Sequence, residues 1–84
     1  MYIYMDKAHY FVMPSIRKNK KYDVFKDDKY LLSFGDKRYQ HYDDKIGFYK
    51  HLNHYDEKRR ENYYKRHGKA DKYSAKWFSH KLLW

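Results

Sequence analysis

The chain contains no cysteine, and its 11 Asp and Glu are outnumbered by 20 Lys and Arg, which leaves +9 on 84 residues. Without cysteine there is neither a disulfide framework nor a thiolate metal site. Long apolar runs are missing too. The opening Met1-Tyr2-Ile3-Tyr4-Met5 meets Asp6 and Lys7 at once. No stretch is long enough to span a bilayer, and no cleavable signal peptide is expected. The expectation is a protein that is not secreted and has no membrane partner.

Low hydropathy with high net charge is the usual composition of a disordered chain. Here 23% of residues are aromatic and 12 are tyrosine. Each tyrosine brings a large apolar body with a polar tip, so a core of Tyr, Phe and Trp can form while the hydropathy stays low. The expectation is a single folded domain over 1–84, with a thin core because so short a chain hides a modest share of its surface. The sequence leaves open whether residues 1–8 are ordered or flexible; 9–35 read as β-rich and 43–84 as helical.

The pattern along the chain predicts an α+β fold: a small antiparallel β-unit on a hairpin at about 22–34, followed by two or three short packed helices. Tyr10-Phe11-Val12-Met13 reads as a short strand that Pro14 ends or marks as an edge. Tyr22 to Phe25 and Tyr30 to Phe34 form the hairpin, with turn-favouring Asp27 and Asp28 between them. Ile46, Tyr49 and Leu52, three apart, predict a helical turn capped by Asp43 or Asp44 and weakened by Gly47. The strongest helix runs from Glu57 to His67. Asp56 and Glu57 sit at its positive end, Lys65, Arg66 and His67 at its negative end, and Gly68 follows. Ser74 caps a last helix with Trp77, Phe78 and Leu82 on one stripe, and the terminal Leu83-Trp84 is expected to dock back on the hairpin.

Between Lys58 and Lys81 lie nine Lys or Arg and two acids, a local +7. Clustered cations neutralise phosphates and release counterions, the main source of sequence-independent affinity for nucleic acid. Lys58, Arg59, Arg60, Lys65, Arg66, Lys69, Lys72 and Lys76 are the candidate phosphate contacts. Tyr63, Tyr64, Tyr73 and Trp77 are interleaved with them and suit stacking on exposed bases. The same residues also admit a structural role. In that reading Arg59, Arg60 and Arg66 pair with Asp44 and Asp56, and a guanidinium packs on Tyr63 or Trp77.

Other chemistries find less support. His51, His54 and Asp56 could share a metal, but a fourth ligand would have to come from afar, from His41, His67 or His80, so no metal or cofactor is expected. No nucleophile, base and orienting group stand out as a set; Ser33, Ser74 and Ser79 suit strand ends and caps, and no enzyme is expected. Residues 74–84 fit an interfacial helix only loosely, since the core needs their apolar stripe.

Several runs resemble a family of short uncharacterised proteins of nucleocytoplasmic large DNA viruses, including giant viruses of algae and amoebae. They are Pro14-Ser15, Lys20-Lys21-Tyr22, Phe34-Gly35-Asp36, Asp44-Lys45-Ile46-Gly47, His51-Leu52, Arg59-Arg60, Arg66-His67-Gly68, Ser74-Ala75-Lys76-Trp77 and Leu83-Trp84. The resemblance runs from about His9 to the last residue and brings no catalytic residue with it. It implies a viral setting, in the virion or in the host cytoplasm or nucleus. There a small basic protein meets DNA or RNA, or the acidic faces of capsid or core proteins. Two functions follow: a nucleic-acid-binding module without strong sequence preference, or a minor structural protein of the virion.

Overall fold

Two tight turns organise the N-terminal half. Asp27 and Asp28 both adopt positive φ, 48° and 69°. That is the left-handed pair that a two-residue turn needs to match the twist of its flanking strands. Asp6 and Lys7 do the same with φ of 50° and 64°. In a computed structural model describing residues 1–84, these turns and the 15–19 connection join strands β1 (Tyr2–Met5), β2 (Ala8–Pro14), β3 (Lys20–Lys26) and β4 (Lys29–Asp36). The four form one antiparallel sheet in sequence order. Helices α1 (Glu57–His67) and α2 (Ala75–Leu82) follow, so the fold is α+β as expected.

Residues 1–8, whose order the sequence leaves open, form the edge strand β1, its turn and the first residue of β2. Tyr2 pairs with Phe11 and Tyr4 with His9, and the Met1 amine donates to the Val12 carbonyl at 2.9 Å. Burial gives β1 little signal in the sequence, because its tyrosines remain exposed, Tyr2 at 80% and Tyr4 at 64%. The hairpin stands where expected, and Phe25 pairs with Tyr30 beyond an irregularity after Val24.

Alternation along β2 and β3 sends Tyr10, Val12, Tyr22 and Val24 to one face, where they join Phe34 from β4. Helix α2 lies on that face. Ser74 Oγ accepts from the Trp77 amide at its start, and Phe78 stacks 5.9 Å from Phe34 and meets Tyr10 at 6.0 Å with the rings tilted. Leu82 and Leu83 are buried, so the chain end docks as expected. Helix α1 packs on α2 rather than on the sheet. Tyr64 Oη donates to the His80 carbonyl at 3.1 Å, and Tyr63 stacks on Trp84 at 4.2 Å with the rings 3° apart.

Residues 43–56 depart from the helical expectation. A single 3₁₀ turn, Lys50–Leu52, is their only helical part. Asp44 does not cap a helix. Its carboxylate accepts from the amides of Ile46 (2.9 Å), Gly47 (3.1 Å) and Tyr49 (2.8 Å) and from Tyr22 Oη (2.5 Å). Gly47, at φ 115°, lets the chain fold round it. Main-chain bonds from Asp43 to Leu83 and from Lys45 to Leu82 then tie this segment to the end of α2.

Asp44 is 1% exposed, so removing its carboxylate leaves buried donors without an acceptor. Asp44→Ala is expected to lower unfolding stability by about 3 kcal/mol. Urea unfolding monitored by Trp fluorescence checks this; a loss below about 1 kcal/mol would contradict it.

Candidate nucleic-acid interface

Helix α1 is built to present one basic stripe. Asp56 caps it, accepting from the Lys58 and Arg59 amides, and Gly68 closes it at φ 62°. Residues three and four apart share a helix face, so Arg59, Asn62, Tyr63 and Arg66 point the same way. That face forms one wall of a cleft of about 700 Å³. The edge of β3 and β4 forms the opposite wall, and the start of α2 adds Lys76. Five cations line the cleft, namely Lys20, Lys21, Arg59, Arg66 and Lys76, against one carboxylate, Asp36. Phe34, Tyr39, Tyr63 and Trp84 supply aromatic surface between them.

The one acid is already engaged. Arg38 donates to both Asp36 oxygens, at 3.0 and 2.7 Å, and holds that carboxyl down to about 2. Arg59 donates to the amide oxygen of Gln40 at 2.8 Å, and Lys76 to the His67 carbonyl at 3.0 Å. Neither partner is charged, so the positive charge of the cleft is uncompensated. Gly35, at φ 76°, lets Lys21 and Leu83 approach; a Cβ there would meet both at 3.0 Å.

Lys21 is almost fully buried. Its ammonium donates to the Tyr39 carbonyl at 2.9 Å and to His41 Nδ1 at 2.7 Å, so that nitrogen carries no proton. Burial pulls Lys21 down to about 8, although Asp44 and Asp36 oppose the shift. His41 falls to about 4 through burial and then the neighbouring ammonium. His67, also on the cleft, is lowered by burial and by Arg66 and Lys76.

The eight candidate phosphate contacts divide. Arg59, Arg66 and Lys76 meet at the cleft. Lys58 and Lys65 instead flank Glu61 on another side of α1, at 3.9 and 3.1 Å. Arg60 donates to the main-chain oxygen of Trp84 at 2.8 Å and lies 4.9 Å over Tyr42. Lys72 pairs with Asp6 at 3.0 Å, away from the cleft, and Lys69 is exposed on the loop after α1. The alternative ion pairs do not form: Asp44 is taken by Tyr22 and amides, and Asp56 by the cap. Among the stacking candidates, Tyr63 is covered by Trp84, and Tyr73 stacks on Tyr10 and donates to Asp6. His54 Nδ1 accepts from the Asp56 amide, a local bond at the helix start.

Lys20 and Lys21 lie outside the sequence-predicted contacts, because they precede the basic helix by almost forty positions. The signal that could have found them is their run with Arg17 and Lys18 directly before a strand. Comparisons with protein-family models, curated proteins and solved structures return no match for this chain. No helix is long and apolar enough to cross a membrane.

A histidine whose folded pKa lies near 4 binds its proton less readily than the unfolded chain does. The contribution of His41 to stability is therefore full above about pH 6.5 and falls as the pH drops toward 4. The expected loss across that window is on the order of 3 kcal/mol. Urea unfolding at pH 7, 5.5 and 4.5 measures it, and His41→Asn should flatten the slope. An unchanged slope in that variant would contradict the assignment.

Proposed function

We propose that the chain is a small basic binding module that holds nucleic acid by its phosphates without strong sequence preference. The observation that carries this reading is the uncompensated charge of the cleft, where cations from β3, α1 and α2 converge on one concavity. Low-dielectric walls concentrate such a field on an incoming polyanion. Arg59 and Arg66 supply planar donors suited to phosphate oxygens, and Lys20 and Lys76 supply point charges. Lys58, Lys65, Lys69 and Lys72 add a weaker outer field, while Arg60 holds the two helices in place.

The module acts by binding rather than catalysis. Its cleft serine hydroxyls are engaged within the fold, Ser33 with Asp23 at 2.6 Å and Ser79 with Tyr63 at 3.2 Å. The resemblance supports a viral setting, with the protein in the virion or in the host cytoplasm or nucleus. A second reading, a minor virion protein that binds acidic capsid or core surfaces, draws support from exposed Tyr39, Phe48 and Tyr55, since exposed aromatics favour interfaces.

Fluorescence anisotropy with labelled oligonucleotides at several salt concentrations tests the proposal. Affinity is expected to fall steeply with salt, the slope reporting how many phosphates are neutralised. Arg59→Glu with Arg66→Glu should weaken binding more than tenfold. The same pair should reduce the slope by roughly 1.4–1.8, because two phosphates are no longer neutralised. Charge reversal at Lys58 and Lys65 should matter less. If the folded Arg59/Arg66 variant binds like the parent, the cleft is not the interface.

A further inference from the structure

The sheet has a second face. Alternation that sends Tyr10, Val12, Tyr22, Val24 and Phe34 to the core sends the residues between them outward. The strand register then aligns an outward row: Tyr2 lies opposite Phe11, Phe11 opposite Phe25, and Phe25 opposite Tyr30. Four aromatic rings thus cross all four strands, over about 15 Å at the usual strand spacing. Ring centroids of Tyr2 and Phe11 are 4.5 Å apart, those of Phe25 and Tyr30 6.0 Å. Tyr2 and Tyr30 are exposed, Phe11 and Phe25 half-buried. With Tyr2, the two phenylalanines line a depression of about 250 Å³. A domain with only ten buried hydrophobic residues leaves these four rings outside its core.

Charge and ring chemistry select the occupant. The row is aromatic, and the exposed face of any one ring accepts any base. The chain carries +9, so a second copy meets like charge on approach, whereas a polyanion meets the opposite sign. At one end Arg17 lies 3.7 Å over Tyr30, held by Asp23 at 2.6 Å yet 45% exposed. Its guanidinium offers both a stacking plane and phosphate donors. At the turn end of the β3–β4 hairpin, on one flank of the row, Asp27 and Asp28 rim the depression. Carboxylates there repel phosphate and accept hydrogen bonds from exocyclic amines, which turns base edges rather than the backbone toward that end.

We infer that this outer sheet face is a stacking platform for single-stranded nucleic acid, holding roughly two or three unpaired bases on Tyr2, Phe11, Phe25 and Tyr30. The inference rests on the nucleic-acid reading above and adds strand state to it. Bases in a duplex are covered by their neighbours, so the row serves unpaired segments while the basic cleft serves phosphates of either kind.

The test compares a labelled 12-nucleotide oligocytidylate with a 12-base-pair RNA duplex at one salt concentration. Tyr2→Leu/Tyr30→Leu keeps apolar bulk and removes two rings; circular dichroism and thermal melting check its fold. Single-strand affinity is expected to fall at least tenfold, with duplex affinity within twofold of the parent. The single variant Tyr2→Leu, at a very exposed edge position, should lose at least fivefold should the double variant not fold. Unchanged single-strand affinity in a folded variant overturns the inference, as does equal loss on the duplex. A parent dimer that the variant abolishes without loss of RNA affinity assigns the face to self-association and overturns it too. If the parent binds no oligonucleotide even at low salt, the nucleic-acid reading itself fails, a result distinguishable from failure of the aromatic row alone.

Discussion

The carboxylate of Asp44 is the group on which the arrangement depends. A chain this small has a thin core, and its long irregular segment cannot hold itself by secondary structure. Asp44 gathers three amides of that segment and the Tyr22 hydroxyl from the central strand β3 into one buried cluster. Tyr22 Oη in turn accepts from the Phe48 amide at 3.2 Å. Charge-assisted bonds of this kind are among the strongest a fold can make, and they are directional. The segment so fixed pairs with the end of α2, and α2 carries α1. The position of the basic helix face therefore follows from a carboxylate that precedes the helix in sequence and touches none of its residues. Lys21 and His41 sit beside this cluster, and their desolvation is a consequence of how tightly segment and sheet are joined.

The fold sorts charge. Cations on the outside of α1 find Glu61, and Lys72 finds Asp6, in exposed pairs worth little to stability. The cations that face the sheet across the cleft have neutral partners or none with a charge. Solubility alone does not require four exposed cations, Lys20, Arg59, Arg66 and Lys76, in one concavity, where their mutual repulsion costs stability. The aromatic residues are sorted as well: one group builds the core and the α1–α2 seam, and another is left on the outer sheet face.

Much of the fold is legible in the sequence because local chemistry and tertiary structure agree there. The Asp27-Asp28 turn, the Asp56 and Ser74 caps and the Gly68 stop all act on their own neighbours, and each stands where its residue type predicts. The apolar stripe of α2 and the docking of Leu83 follow from the same patterning. The expectations that differ from the structure concern residues whose partners are distant in sequence. Ile46, Tyr49 and Leu52 have helical spacing, but Asp44 directs its acceptors to tight local amides and to Tyr22, and a 3₁₀ turn results. Tyr2 and Tyr4 alternate with Ile3 and Met5, yet so short a strand is recognisable only beside β2. Half of the interface is readable from Arg59, Arg66 and Lys76 on one basic stretch. The rest, Lys20, reaches the cleft because the ends of β3 and β4 face α1, which no local pattern records; the neighbouring Lys21 brings only its stem there, its ammonium being buried on Tyr39 and His41.

In the proposed mode of binding, phosphates settle in the cleft between the sheet edge and α1. Backbone amide NMR of the labelled protein, titrated with a short oligonucleotide, tests this most directly. Shifts are expected to cluster at Lys20, Gly35, Arg59, Asn62, Arg66 and Lys76, to fade as salt is added, and to leave the outer side of α1 at Lys58 and Lys65 nearly still. Shifts centred on that outer side, or no shifts at low salt, would contradict it.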